Sequence, residues 1–115
     1  MRRFVELAVF TDDVPAVTSF YARVLGVVPE AEWPGGAIFA IEGGKLLVHE
    51  RGDGVGEHEP PNEDHVAIGV TDLVTACDTL RTAGVEVLVE PRDYPWGRSA
   101  YLRDPDGRLV ELTEG

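Results

Sequence analysis

Glu6, His65 and Glu111 are the three residues whose types and strand positions could do chemistry together. A carboxylate, an imidazole and a second carboxylate suit a divalent first-row ion and leave open positions for water or a substrate oxygen. Two carboxylates a few Å apart in a partly dry cleft repel by roughly 4 kcal/mol at an effective dielectric near 20. A cation, a bound proton or a charged His65 must compensate, so the positive partner is either a metal or a basic ligand. Taken singly, each residue also has a plainer reading. A buried histidine is commonly hydrogen-bonded into a core, and either glutamate could pair with Arg3, Arg103 or Arg108.

Strand alternation brings the three side chains to one face. With Val5, Leu7 and Val9 packed under a helix, Phe4, Glu6, Ala8 and Phe10 face the other way. Likewise Val66, Ile68 and Val70 send His65, Ala67 and Gly69 to the open face, and Val110 and Leu112 leave Leu109, Glu111 and Thr113 there. Aligning Gly44-Lys45-Leu46-Leu47-Val48 on Gly107-Arg108-Leu109-Val110-Glu111 makes Val48 the partner of Glu111, with Glu50 on the same face and His49 pointing away. Trp33, Phe39, Trp96 and Tyr101 lie on or beside these strands and turns, where flat rings would line a ligand pocket. Core packing accounts for Phe39 equally well.

The elements that carry these residues come twice. Glu6 to Val14 (ELAVFTDDV) superimposes on His65 to Leu73 (HVAIGVTDL), each an alternating β-rich run followed by an Asp, Asp13 or Asp72, placed to cap a helix. The first helix stripes Val14, Val17, Tyr21, Val24 and Leu25 and stops at Gly26; the second stripes Leu73, Ala76, Cys77, Leu80 and Ala83 and stops at Gly84. Shorter strands follow at 27–31, 37–41 and 45–50, then at 85–90, 99–103 and 108–113, separated by Gly- and Pro-rich turns. The fold class is α+β: two tandem βαβββ modules over residues 1–51 and 64–115 within one domain, helices on the outer face of a curled mixed sheet. Residues 52–63, rich in Gly, Pro and acid, are the linker.

Ten Lys and Arg against 21 Asp and Glu give a net charge of −11 on 115 residues, which repels nucleic acid and anionic membrane surfaces alike. No apolar run approaches the roughly 20 residues of a spanning helix. Acidic residues break any signal-peptide core after Met1, and the single cysteine fits a reducing compartment; the expected location is the cytoplasm.

Glu6 to Asp13, Ser19-Phe20-Tyr21 to Leu25-Gly26, Asp64-His65-Val66-Ala67, and Tyr101 to Glu111 (YLRDPDGRLVE) together resemble the vicinal oxygen chelate superfamily of glyoxalases, bleomycin-resistance proteins and extradiol dioxygenases. The resemblance spans essentially the whole chain. It implies two βαβββ modules curled into a cup, often around a divalent metal and commonly within a dimer. It would place metal ligands at Glu6, His65 and Glu111 and a fourth at Val48, which cannot coordinate. Glu6 stands where the ring-cleaving dioxygenases carry a histidine, which disfavours that chemistry. Two functions follow. One is a metal-dependent lyase or isomerase with Glu111 as general base by resemblance to such members. The other is a metal-free protein that sequesters a drug-like, cationic planar ligand. The expected partners are a small molecule and a second copy of the chain, because open sheets leave unpaired edges and apolar rims to cover. Sedimentation at micromolar concentration should show a homodimer; monomer alone would refute it.

Overall fold

The computed structural model describes residues 2–52 and 60–115. The element order is β1 (Arg3–Thr11), α1 (Val14–Leu25), β2 (Ala31–Trp33), β3 (Gly36–Ile41), β4 (Gly44–Glu50), β5 (His65–Val70), α2 (Leu73–Thr82), β6 (Val87–Tyr94), β7 (Gly97–Arg103) and β8 (Leu109–Glu114). Two compact units result, one of Glu6–Asp64 and the other of His65–Gly115 with the chain's start through Val5. The expected division differs at its ends, because the Arg3 guanidinium bonds the Gly115 carbonyl and lies against Gly69. Within the expected linker, residues 53–59 lie outside the described residues; on either side, Asn62 clasps Gly52 through both its amide oxygen and its amide nitrogen.

The repeat is visible in the capping. The Asp13 side chain accepts from the Ala16 amide at 3.1 Å and the Asp72 side chain from the Thr75 amide at 3.1 Å, each satisfying a donor left free in a first helical turn. The Thr75 amide holds the Asp72 carboxyl below its usual range. Gly26 closes α1 at φ 71°, a left-handed conformation suited to glycine, with its amide on the Ala22 carbonyl at 2.9 Å.

Both units follow one strand plan, β2-β3-β4-β1 in the first and β6-β7-β8-β5 in the second, with a parallel pair (β1 with β4, β5 with β8) reached through the helix and two antiparallel partners beyond it. The helix-side cores match as well. Phe39, Leu46 and Val48 pack with Val9 under Val14, Val17, Tyr21 and Leu25 of α1. Ala100, Leu102 and Leu112 pack with Val70 under Leu73, Ala76 and Cys77 of α2. Burial raises the pKa of the Cys77 thiol, as befits a small core residue.

Three differences from the sequence reading have local causes. The first is β2, which forms at Ala31–Trp33 rather than at 27–31: Pro29 has no amide to donate, so pairing opens at Glu30, whose N–H meets the Ile38 carbonyl at 2.8 Å. Another lies in β4. Ala8 pairs with Leu47 whereas its repeat counterpart Ala67 pairs with Glu111, so Leu47 and not Val48 is the counterpart of Glu111. Val48 is fully buried under α1, and His49 shares a face with Phe10, their rings 5.3 Å apart. The third is Phe39, which is wholly buried in the α1 core. No helix among the described residues is long and apolar enough to cross a membrane.

Gly36 is the tightest point in the first unit. A Cβ there would stand 2.5 Å from the Val48 carbonyl oxygen and 2.7 Å from Trp33 Cζ2. The main-chain contact cannot yield without moving β4, so Gly36→Ala should lower stability by about 2 kcal/mol or more, read as a drop in the denaturant midpoint.

Candidate active site

Glu111 is 5% exposed on β8, the strand between β5 and β7. His65 begins β5, and its Nε2 lies 3.0 Å from Glu111 Oε1; on the other side the Ser99 hydroxyl of β7 donates to Oε2 at 2.7 Å. Both carboxylate oxygens are therefore engaged, one by each flanking strand. In the Nε2–H tautomer His65 donates to the Glu111 oxygen, which accepts. Ala67 and Gly69 follow His65 on the same face with little bulk.

Three rings form a wall beside this pair. Trp96 stacks on Tyr94 with centroids 4.7 Å apart and planes 2° from parallel, Tyr94 meets Tyr101 edge-to-face at 6.0 Å, and Tyr101 meets His65 edge-to-face at 5.9 Å. Trp96 in the β6–β7 turn is half exposed and its Nε1–H donates to Ser99 Oγ at 3.3 Å, whereas Tyr94 and Tyr101 are buried. The Tyr94 hydroxyl is buried and makes no hydrogen bond among the described residues.

Sequence reasoning missed Tyr94 and Ser99. Val87 pairs with Leu102, Val89 with Tyr101 and Arg92 with Ser99, so β6 carries an extra residue at two points. Each extra residue reverses which side chains face which side. Val87 packs under α2, Val89 joins the Tyr94–Tyr101 cluster, and beyond Pro91 the parity reverses again to bring Arg92 and Tyr94 round to the site face. Pro91 inside a strand was the available signal.

The remaining expected residues are spread out. Glu6 is half-buried on β1 in the other unit. Glu50 shares parity with Val48, and its carboxylate stands against Gly35 in the β2–β3 turn. Trp33, 40% exposed, lines a cavity beside α1. Among the described residues, no three His, Cys, Asp or Glu side chains are gathered closely enough to hold a metal ion. The His65–Glu111 pair fits part of such a site. Two adjacent octahedral ligands at about 2.1 Å lie about 3.0 Å apart, the separation seen here, and the Nε2 proton would have to leave as a metal entered.

The profile of the Glyoxalase/Bleomycin resistance protein/Dioxygenase superfamily matches residues 3–112. The chain belongs to that superfamily. It is similar to a probable lactoylglutathione lyase of Vibrio cholerae, 41% identical over 64 residues that make up 53% of this chain and 46% of that protein. The match thus spans about half the length of that curated relative. A solved Streptomyces coelicolor methylmalonyl-CoA epimerase variant in complex with 2-nitronate-propionyl-CoA superposes with a TM-score of 0.71 at 25% identity, covering 98% of this chain and 96% of that one. A superfamily member from Vibrio splendidus shares the fold at a TM-score of 0.74 and 15% identity, covering all of both chains.

Burial pushes the Tyr94 phenol above its ordinary value of 10.0, and the Glu111 charge adds to the effect while Arg92 opposes it. A raised folded-state pKa means stability that is fully present below the unfolded value and lost as pH rises through the folded one. Unfolding titrations should therefore show an alkaline loss beginning near pH 10 that is absent in Tyr94→Phe; an identical alkaline limb in both proteins would contradict this.

Proposed function

We propose that this superfamily member is a lyase- or isomerase-type enzyme that moves a proton on the carbon beside a substrate carbonyl, with Glu111 as the base. The observation that carries the reading is a buried carboxylate held between His65 and Ser99 and walled by aromatic rings. In this reading one Glu111 oxygen takes the proton from the substrate carbon and returns it to the enolate carbon or to its neighbour. Ser99 and His65 aim the carboxylate by donating to it. When His65 reorients its N–H toward the substrate oxygen, it stabilises the enolate as the charge moves from Glu111. Tyr94, Tyr101 and Trp96 exclude water, which strengthens these interactions and protects the intermediate.

A divalent ion is the proposed cofactor, with His65 and Glu111 as ligands. Bound there, it would displace the His65 Nε2 proton and polarise the substrate carbonyl in place of that N–H. The lactoylglutathione lyase and methylmalonyl-CoA epimerase names of the relatives support a small carbonyl substrate. The proposed assembly is a homodimer, for which exposed Phe20 and Val24 on α1 offer apolar surface.

The test is deuterium incorporation from heavy water into S-lactoylglutathione and methylmalonyl-CoA, followed by mass spectrometry with the protein metal-free and loaded in turn with magnesium, zinc, nickel and cobalt. The wild type should label one of the two at the carbon beside the carbonyl, and Glu111→Gln should slow labelling by on the order of 100-fold or more with the fold intact. No labelling of either compound in any metal state would overturn the reading in favour of a binding protein.

A further inference from the structure

A cavity lies in the first unit, on the helix side of its strands and lined by neither His65 nor Glu111. It measures about 500 Å³ and opens between the first turns of α1 and the β2–β3 turn, with Thr18, Ser19, Glu32, Trp33 and Pro34 among its walls. That volume is within the range of small-molecule sites, roughly 300–1,000 Å³.

Three features give it a chemical character. Thr18 is 8% exposed, yet its hydroxyl oxygen is buried without a hydrogen-bond partner among the described residues. A helical threonine ordinarily returns its hydroxyl to the carbonyl four residues earlier, and leaving it unpaired is unfavourable by about 1–3 kcal/mol in general. Glu32, exposed on β2, has neither an ion pair nor a hydrogen bond among the described residues, although Glu30 and Asp12 are paired with Lys45 and Arg51. Trp33 presents an indole held against Gly36, where no side chain could stand. Nothing in the lining carries a positive charge; the positive end of α1 is capped by Asp13.

An unpaired hydroxyl, an unpaired carboxylate and an aromatic face select one kind of guest. A neutral apolar ligand would leave Thr18 unsatisfied, and an anion would meet Glu32 in a chain already at −11. We propose that this cavity binds a small organic ammonium ion, whose N–H groups donate to Glu32 and to Thr18 Oγ1 while its hydrocarbon lies on Trp33 and the prolines. The charge-assisted hydrogen bond and the cation–π contact supply the selectivity.

Benzylammonium is a suitable probe and benzyl alcohol its uncharged counterpart, each titrated into the 115-residue chain and followed by ¹H–¹⁵N NMR. Benzylammonium should give saturable shifts at the Trp33 indole N–H and the Thr18 amide with a Kd on the order of 1 mM or tighter, leaving the Trp96 indole unmoved. Glu32→Gln should weaken binding by about tenfold, the equivalent of one charge-assisted hydrogen bond, and Thr18→Val should weaken it further. Glu111→Gln should bind as the wild type does, which separates this site from the proposed active site. Equal affinity for benzyl alcohol, no saturable shift at Trp33, or unchanged affinity in Glu32→Gln would each overturn the proposal.

Discussion

A carboxyl group that is 5% exposed needs hydrogen-bond partners for its oxygens, and Glu111 imposes that condition on the second module. The donors come from both flanking strands, His65 of β5 and Ser99 of β7, so all three strands must hold register together. A slip of one residue would turn Glu111 into the α2 core and bring Val110 or Leu112 out to the site. Parallel pairing of β5 with β8 needs a long crossover, and α2 supplies it while covering the opposite face. The cap and the site even share a strand: Glu114, three residues past Glu111, accepts from the Leu73 amide at the start of α2 at 2.9 Å.

The first module shows what the same frame does without that constraint. Leu47 occupies the place equivalent to Glu111, and Gly36, paired with His49 as Ser99 is with Thr113, occupies that of Ser99. An apolar residue there needs no partner and carries no desolvation penalty. The fold therefore does not require a charge at this point, in keeping with the catalytic role proposed for Glu111. Repetition supplied the scaffold twice, with the carboxylate network in the second copy alone.

Much of this was legible in the sequence. The capping aspartates Asp13 and Asp72, the glycine that ends α1 and the alternation of β5 and β8 are local signals whose physics acts within a few residues. They placed His65 and Glu111 on one face correctly. What failed were inferences across a ladder. Aligning Val48 with Glu111 was off by one because two glycine-led strands were matched by their turns, whereas hydrogen-bond register is set by the neighbouring strand. Tyr94 was invisible for a related reason: alternation carried unbroken from Val89 would put it behind the sheet, and only the extra residue near Pro91 brings it forward.

That irregularity shapes the chemistry open to the site. A regular β6 would place Asp93 and Pro91 alongside Val89, adding another carboxylate near Glu111 and removing the central ring of the wall. The bulged strand instead interposes Tyr94 between Trp96 and Tyr101, so the stack runs unbroken from solvent to the His65 ring. Within that wall the Tyr94 hydroxyl is buried and makes no hydrogen bond among the described residues. Burial holds the proton on that phenol beyond its ordinary range, so the wall adds no second anion beside Glu111. In the reaction proposed above, such a neutral wall keeps water from the carbon that Glu111 deprotonates.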